Sequence, residues 1–314
     1  MFDPATLDAL YKDIAPASAD LPAPAHWVLA GEGLWGSVYD LSDGTMLKVV
    51  RRHGGLGNGE TLHHREVQAL TLLNGLTTDY VRVPKLVGAA PFTNSYLGSA
   101  PPLAGWVRME GLQGRRLSTD SVLSSPARSR DLLGERIGAA IADFNLAATR
   151  LAEAAGSKLA DTITRSLILA RNQLGSAEMH RACDAIAKAW LDLCAQGPLV
   201  FVHGDLNPSN IIDNGADQPL GLVDFAESGW SLAETEFRHF EPLGAMRDSA
   251  FRGYTARSGN PPDLKAYYLA SAADALMVIA LRGNAGHPRD QMRRTGLLRH
   301  CLHEAGLTET MSEP

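Results

Sequence analysis

The stretch from residue 199 to residue 225 constrains this chain more than any other. An apolar run, residues 199–202, leads directly into His203-Gly204-Asp205, and a second apolar run, 220–223, ends at Asp224, with Asn210 in the polar loop between them. Such runs predict two short strands that present Asp205, Asn210 and Asp224 at one edge. Carboxylate and amide oxygens are hard ligands that suit Mg²⁺ bound to a nucleotide. One of the two acids would then be left to orient a hydroxyl nucleophile. The pattern therefore indicates phosphoryl transfer.

The same stretch resembles the catalytic loop of the aminoglycoside phosphotransferase and choline kinase group of small-molecule kinases. Four residues separate Asp205 from Asn210, as in the protein-kinase loop, and Asp224-Phe225-Ala226 stands where D-F-G would. The resemblance implies that Asp205 is catalytic and that Asn210 and Asp224 hold Mg²⁺. A structural β-meander with turns at Asn207-Pro208 and Asn214-Gly215 is the alternative.

The resemblance also implies the fold. We expect a two-lobed, protein-kinase-like fold of class α+β. A small antiparallel-sheet lobe would cover residues 1–110, and a larger, mainly helical lobe would cover 111–314. Apolar periodicity predicts helices in the second lobe over 132–151, 158–175, 179–195, 232–246, 262–282 and 288–304.

A glycine-rich segment lies between two predicted strands near the N-terminus. Gly31, Gly33 and Gly36 form a G-x-G-x-x-G pattern, which occurs both in dinucleotide-binding folds and in kinase loops that cover phosphates. A dinucleotide fold needs a helix after the third glycine, whereas Ser37-Val38-Tyr39 continues as a strand. This context favours the kinase loop, and a glycine-rich hairpin without function is the alternative.

Two charged residues extend the kinase pattern. Lys48 lies on a predicted strand, where the resemblance places the lysine that contacts the nucleotide phosphates. Glu66 lies on a predicted helix, 61–74, and matches the glutamate that pairs with that lysine. The alternative is that both are solvent-exposed, as most lysines and glutamates are.

The segment 109–114 resembles the connection between the lobes in this family. The resemblance implies that adenine hydrogen-bonds to backbone at Glu110 and Leu112, beside Met109. One departure from the family pattern lies further on, because Phe144-Asn145 stands where many relatives have Leu-His.

The hydroxyl acceptor is the least constrained part of the prediction. The segment from Phe225 to Trp230 is too short for the peptide-docking segment of a protein kinase, so a small molecule is favoured. Trp230 is a candidate contact for a quaternary ammonium. The candidate acids for a cationic acceptor are Glu227, Glu234, Glu236 and Glu241. The alternative is that these charges form a solvated helix face. Aminoglycoside, amino alcohol, sugar, homoserine-like and nucleoside acceptors all stay open.

Composition argues against several other classes of protein. The chain has 314 residues, enough for two lobes with separate cores. Its 29 basic and 35 acidic residues give a net charge of −6, which argues against general nucleic-acid binding. Three scattered cysteines predict neither a disulfide framework nor a zinc site. Without a signal-peptide pattern or a long apolar run, we expect a cytoplasmic protein that binds no membrane. The oligomeric state stays open.

Together these features predict Mg²⁺-dependent transfer of the γ-phosphoryl group of ATP or GTP to a hydroxyl of a small molecule. The alternatives are a non-catalytic nucleotide-binding regulatory protein of the same fold, a protein kinase and a nucleotidyltransferase. A non-catalytic member would be expected to have lost at least one of the key residues, and all five are present: Lys48, Glu66, Asp205, Asn210 and Asp224.

Overall fold

The chain divides into two compact units. The computed structural model describes residues 2–18, 20–54, 57–282 and 288–308. Unit 1 comprises Met1–Leu76, Arg82–Gln113 and Val223–Ala226, and unit 2 comprises Thr77–Val81, Gly114–Leu222 and Glu227–Pro314. The lobes expected from the sequence, 1–110 and 111–314, are contiguous, whereas both units are assembled from separate stretches of chain.

Helices and strands alternate in the first third of the chain, and helices dominate the rest. The helices are α1 (Pro4–Ile14), α2 (Gly59–Leu73), α3 (Thr119–Leu123), α4 (Ala127–Ala154), α5 (Thr162–Arg171), α6 (Ala177–Gln196), α7 (Ala245–Ser258), α8 (Leu264–Arg282) and α9 (Pro288–Glu304). The strands are β1 (Val28–Glu32), β2 (Gly36–Asp40), β3 (Thr45–Arg51), β4 (Val81–Arg82), β5 (Leu86–Pro91), β6 (Leu103–Glu110), β7 (Arg115–Arg116), β8 (Val200–Val202), β9 (Ile211–Asp213), β10 (Leu220–Leu222) and β11 (Gly229–Ser231).

Unit 1 is built on a five-stranded sheet in the order β1-β2-β3-β6-β5, with every neighbouring pair antiparallel. Helix α1 begins where the Asp3 carboxylate accepts a hydrogen bond from the Thr6 N–H at 2.7 Å, which is an N-cap. Leu10 and Ile14 of α1 are fully buried in a core that also contains Tyr39 and Trp106. Helix α1 therefore completes the core of this sheet.

Helix α2 presents an unusual buried face. Leu62, Glu66, Leu70 and Leu73 are all buried, at the spacing of one helical stripe. A carboxylate thus occupies a position that the apolar pattern reserves for leucine. This places Glu66 where it needs an ionic partner.

Unit 2 contains two small sheets, one in the order β4-β10-β9-β7 and one in the order β11-β8. The strands predicted around the 199–225 stretch exist, but β8 pairs with β11 whereas β10 pairs with β9. Asp205 therefore follows a strand of one sheet, and Asn210 immediately precedes a strand of the other. The prediction that the two apolar runs share one edge is wrong, because each run finds its own antiparallel partner.

The helices of unit 2 pack around α8 and along the α4–α7 contact. Among the described residues, α8 is the one helix that is long and apolar enough to cross a membrane, over Leu264–Leu281. Of that stretch, 61% is buried within the protein, as is expected of a core helix. Its apolar character is therefore accounted for by packing.

The helix predicted over 232–246 is wrong. The structure has two 3₁₀ helices there, Ala233–Phe237 and Glu241–Leu243, and α7 begins only at Ala245. Pro242 cannot donate a backbone hydrogen bond, and Gly244 has φ of 53° and ψ of −116°, outside the helical region. A continuous α-helix cannot pass through these two residues.

Close packing of α4 on α7 predicts opposite effects for two glycine-to-alanine changes. A Cβ at Gly138 would lie 1.9 Å from the Ala250 carbonyl oxygen, whereas a Cβ at Gly296 of α9 would meet nothing within 4 Å. Gly138→Ala should lower the free energy of unfolding by about 1–3 kcal/mol or more through overpacking. Gly296→Ala should raise it by roughly 0.5–1 kcal/mol through helix propensity. Urea denaturation measures both, and shifts of the same sign would contradict the packing argument.

Candidate active site

A buried lysine with two carboxylate partners lies on β3, the middle strand of the sheet of unit 1. Lys48 Nζ is 2.8 Å from Glu66 Oε2 and 2.8 Å from Asp224 Oδ1. Lys48 is only 9% exposed and Glu66 only 1%. The alternative that both residues are ordinary solvated charges is therefore wrong.

The charges of this group favour a protonated lysine. Burial alone would lower the pKa of Lys48, but the charges of Asp224 and Glu66 outweigh burial and raise that pKa above its usual value. Burial raises the pKa of Glu66, and the Lys48 ammonium opposes that rise. One cation facing two carboxylates leaves a local excess of negative charge, which favours the approach of a further cation.

Asp224 has a backbone conformation that side chains rarely adopt. Its φ is 70°, in the left-handed region. The residues after it are anchored, because Phe225 is fully buried and the Ala226 carbonyl accepts a hydrogen bond from Arg65 Nε at 3.2 Å. The Asp224 side chain is nevertheless 43% exposed. Strain of this kind at an exposed acid is common at functional sites.

The other predicted nucleotide-binding residues of unit 1 lie on its first two strands, in the turn between them and at or after the end of β6. The glycine-rich segment is therefore not confined to the connection between the strands. Gly31 lies in β1, Gly36 opens β2, and Gly33 lies in the turn between them, where its N–H donates to the Gly36 carbonyl at 2.8 Å. Met109 and Glu110 end β6, and Leu112 follows that strand. The Glu110 N–H already donates to the Lys85 carbonyl at 2.9 Å. A role for Glu110 in adenine binding would therefore need another of its groups.

The loop after β8 holds Asp205 and Asn210 together within unit 2. Asn210 Nδ2 donates to Asp205 Oδ2 at 3.1 Å and to the Asp205 carbonyl at 2.8 Å. Asn207 Oδ1 accepts from the Ser209 N–H at 3.0 Å and so caps the 3₁₀ helix Pro208–Asn210. The spacing from Asp205 to Asn210 in the predicted motif is thus that of a tight turn held by its own hydrogen bonds.

Sequence reasoning missed two partners of Asp205. His239 Nε2 lies 2.8 Å from Asp205 Oδ1, and His239 Nδ1 lies 3.4 Å from Asp274 Oδ2. Arg238 Nη2 lies 3.4 Å from Asp205 Oδ1 and also donates through Nη1 to the Gly204 carbonyl. No motif marks these residues, because they lie far from Asp205 in sequence.

These contacts determine the protonation of Asp205. Burial would raise the pKa of Asp205, but His239 and Arg238 lower it to about 2. Burial would lower the pKa of His239, but Asp274 and Asp205 raise it to about 9. At neutral pH the side chains therefore form a carboxylate–imidazolium–carboxylate row.

A buried glutamate supports the backbone of the same loop. Glu236 is fully buried and accepts hydrogen bonds from the His203 N–H at 2.6 Å and the Gly204 N–H at 3.1 Å. Asn145, the departure from the family pattern, also donates to Glu236, at 3.3 Å. Gly204 has φ of 80°, and a Cβ there would lie 2.3 Å from the Glu227 carbonyl oxygen. Only glycine fits this position.

Metal binding can be judged from the donor atoms present. In the described ranges, no group of three or more His, Cys, Asp or Glu side chains is arranged to hold a metal ion. Asp224 uses Oδ1 for Lys48, and Asn210 uses Nδ2 for Asp205, so each keeps one oxygen for another contact. Carboxylate and amide oxygens are of the kind that Mg²⁺ binds. The assignment of Mg²⁺ to these residues stays a prediction.

The predicted acceptor residues all have partners within unit 2. Glu227 binds Arg165 and Thr162. Glu234 Oε1 accepts from the Asp263 N–H at 2.8 Å. Trp230 Nε1 donates to the Ser157 carbonyl at 3.0 Å. Glu236 and Glu241 are also engaged, with the loop backbone and with Arg247 respectively. Contact of these side chains with an acceptor stays a prediction.

The raised pKa of His239 predicts a specific pH dependence of stability. The ion pairs of protonated His239 with Asp205 and Asp274 stabilise the fold fully below the unfolded-state pKa, near 6.5, and this stabilisation is lost as pH rises through about 9. Between these values the free energy of unfolding of the wild type should fall, relative to His239→Gln, by up to about 1.4 kcal/mol per pH unit. Urea denaturation at several pH values measures the difference, and parallel curves would contradict it.

Comparison with solved structures supports the fold. A wild-type aminoglycoside 2'-phosphotransferase-IIIa, in its GDP complex, is 17% identical, with 95% of this chain and 97% of that chain covered and a TM-score of 0.63. A macrolide 2'-phosphotransferase from Brachybacterium faecium is 17% identical, with 93% and 98% covered and a TM-score of 0.57. A choline/ethanolamine kinase family protein from Mesorhizobium loti is 14% identical, with 98% of each chain covered and a TM-score of 0.56. The predicted α+β fold, with an antiparallel-sheet N-terminal region and a helical C-terminal region, is confirmed.

Comparison of sequences identifies the family. A search of curated protein sequences found no match. The family model described as the phosphotransferase enzyme family, APH, matches residues 27–263. This range includes every residue of the predicted nucleotide and catalytic sites, from Gly31 to Asp224. The chain therefore belongs to the phosphotransferase enzyme family.

Proposed function

We propose that this phosphotransferase moves the γ-phosphoryl group of ATP or GTP to a hydroxyl of a small molecule. The observation that carries the proposal is the buried Lys48–Glu66 pair, 2.8 Å apart. Burying two charges is costly, so a buried ion pair contributes little net stability. A lysine held in this way on the middle strand of a sheet is what phosphate binding requires.

The nucleotide would be bound by unit 1. Lys48, oriented by Glu66, would contact the phosphates. The backbone of the glycine-rich turn, with Gly31, Gly33 and Gly36, would cover them. The adenine or guanine ring would lie against Met109, with backbone groups at Glu110 and Leu112 as hydrogen-bond partners. Asn210 and Asp224 would hold Mg²⁺, which when bound neutralises charge on the phosphates.

The acceptor hydroxyl would be oriented by Asp205. In the transfer, the hydroxyl oxygen forms a bond to the γ-phosphorus while the bond from that phosphorus to the bridging oxygen breaks. The nucleoside diphosphate leaves with the bonding electron pair, and the hydroxyl proton passes to Asp205 and then to solvent. With a pKa of about 2, Asp205 is a weak base, so the proton moves late. Protonated His239 cannot take that proton directly but holds the carboxylate in place.

The acceptor class and the location of the protein complete the proposal. Only four residues, 226–229, separate Phe225 from Trp230, which leaves no room for a peptide-docking segment and favours a small molecule. The burial of α8 as a core helix agrees with a cytoplasmic location.

Replacement of Asp205 tests the catalytic role. Asp205→Asn should reduce turnover by roughly 10²–10⁴-fold, because the amide cannot accept the hydroxyl proton. Affinity for the nucleotide should change little, since Asp205 does not belong to the nucleotide site. Exposed Asp217 provides the matched control, because Asp217→Asn makes the same chemical change in a surface turn. Product formation from Mg-ATP is followed by mass spectrometry, which also separates phosphoryl from adenylyl transfer, and unchanged turnover would remove Asp205 from its role.

Replacement of Asp224 tests the metal-dependent part of nucleotide binding. Ligand that binds only the native state raises the melting temperature. The wild type should gain more thermal stability from ATP with Mg²⁺ than from ATP with a chelator, and Asp224→Ala should lose that difference. Equal shifts with and without Mg²⁺ in the wild type would contradict the metal assignment. No shift with either ATP or GTP would contradict nucleotide binding and with it the proposed function.

A further inference from the structure

A cavity of about 520 Å³ lies in unit 2 beside the catalytic loop. Its wall includes Asn207, Arg238 and His239, and all three contact the Asp205 carboxylate. Cavities of this size accommodate small molecules. An acceptor bound here would lie next to the groups that hold Asp205.

The acidic residues of the cavity wall already have partners. Asp274 pairs with His239 at 3.4 Å and lies 3.9 Å from Arg238 Nε. Glu241 accepts hydrogen bonds from Tyr267 at 2.5 Å and from Arg247 at 2.6 Å. The two carboxylates are thus balanced by neighbouring groups, and few of their oxygens are left to bind a cationic ligand.

Two basic residues of the same wall are different. Arg293 and Arg294, on α9, line the cavity. Neither guanidinium has an ion pair or hydrogen bond with a side chain at 2–18, 20–54, 57–281 or 292–308, the positions whose side chains the structure describes. Arg238 and His239 are matched by Asp205 and Asp274, so among the described side chains of the wall the unmatched charge is positive. Adjacent arginines are well suited to a carboxylate or a phosphate, because the guanidinium fork binds two oxygens at once.

We propose that the acceptor is a small hydroxylated anion whose carboxylate or phosphate group is bound by Arg293 and Arg294. The inference rests on the proposed function, since it names the substrate class for the same Asp205 site. It separates this chain from enzymes for polycationic acceptors, because an aminoglycoside would bring like charge against the two arginines. Of the predicted acceptor contacts, Glu241 lines this cavity but is already bound by Arg247 and Tyr267. Glu227, Trp230 and Glu234 are not among the residues of the wall.

The first arm of the test measures binding without nucleotide. Thermal shifts are recorded for the wild type, for the double variant R293Q/R294Q and for R299Q, a change on the same helix at an arginine that pairs with Glu178 instead. The probes are D-glycerate, glycerol 3-phosphate, glycerol, ethanolamine and kanamycin. The two anions should raise the melting temperature of the wild type and of R299Q but not of R293Q/R294Q. The larger of the two shifts identifies a carboxylate or a phosphate as the preferred group.

The second arm measures turnover with Mg-ATP. In the wild type, kcat/KM should be higher for the anionic acceptors than for glycerol. In R293Q/R294Q, kcat/KM for the anionic acceptors should fall by about 10- to 100-fold, as expected when charge-assisted hydrogen bonds are lost. R299Q should retain it. The thermal shift caused by Mg-ATP should be the same in all three proteins, and its loss in R293Q/R294Q would assign the arginines to the nucleotide and overturn the proposal.

The two arms separate failure of the inference from failure of the proposed function. If Mg-ATP gives no shift and no product, the proposed function fails, while the first arm still decides whether the arginines bind anions. If the wild type favours glycerol, ethanolamine or kanamycin, or if no probe distinguishes it from R293Q/R294Q in binding, the inference is overturned even where phosphoryl transfer is observed.

Discussion

The buried carboxylate of Glu236 is the interaction on which the geometry of the catalytic loop depends. It accepts two consecutive backbone N–H groups, from His203 and Gly204, in a fully buried position. Burial raises the pKa of Glu236, and the donors that surround it favour the charged form. Without these bonds two buried N–H groups would be unsatisfied, which costs free energy. The turn that carries Asp205 is therefore fixed by a residue that takes no part in the chemistry.

The same constraint explains the irregular backbone after β11. Glu236, Arg238 and His239 all contact the catalytic loop, through its N–H groups, its carbonyl and its carboxylate. In an α-helix, residues 236 and 238 would be related by a rotation of about 200° around the helix axis, so their side chains would point to nearly opposite sides. Short 3₁₀ segments broken at Phe240 and Gly244 allow all three side chains to reach the loop. This segment therefore combines short 3₁₀ helices with three side chains that contact one loop.

The sequence predicted the parts of the site that short motifs encode. Asp205 and Asn210 lie five residues apart and form one turn, and the Lys48–Glu66 pair follows from a strand followed by a helix. His239 and Asp274 could not be predicted, because His239 contacts Asp205 across 34 residues of sequence and Asp274 contacts His239 across 35. The helix expected over 232–246 failed because apolar spacing in two 3₁₀ turns resembles that of one α-helix. Charge alone also misleads, since Glu227 lies against Arg165 whereas Arg293 and Arg294 lie in a cavity wall.

The path of the chain through the two units limits how the protein can be recombined. Val223–Ala226 belongs to unit 1, although the chain on both sides of it belongs to unit 2. A block consisting of residues 1–113 would carry Lys48 and Glu66 but not Asp224. Its lysine would have one carboxylate of its own and would depend on the recipient chain for the second. Neither unit can therefore be transferred to another protein as one contiguous block. An exchange between relatives keeps two carboxylates at Lys48 only where the recipient chain has an acid at the position that matches Asp224.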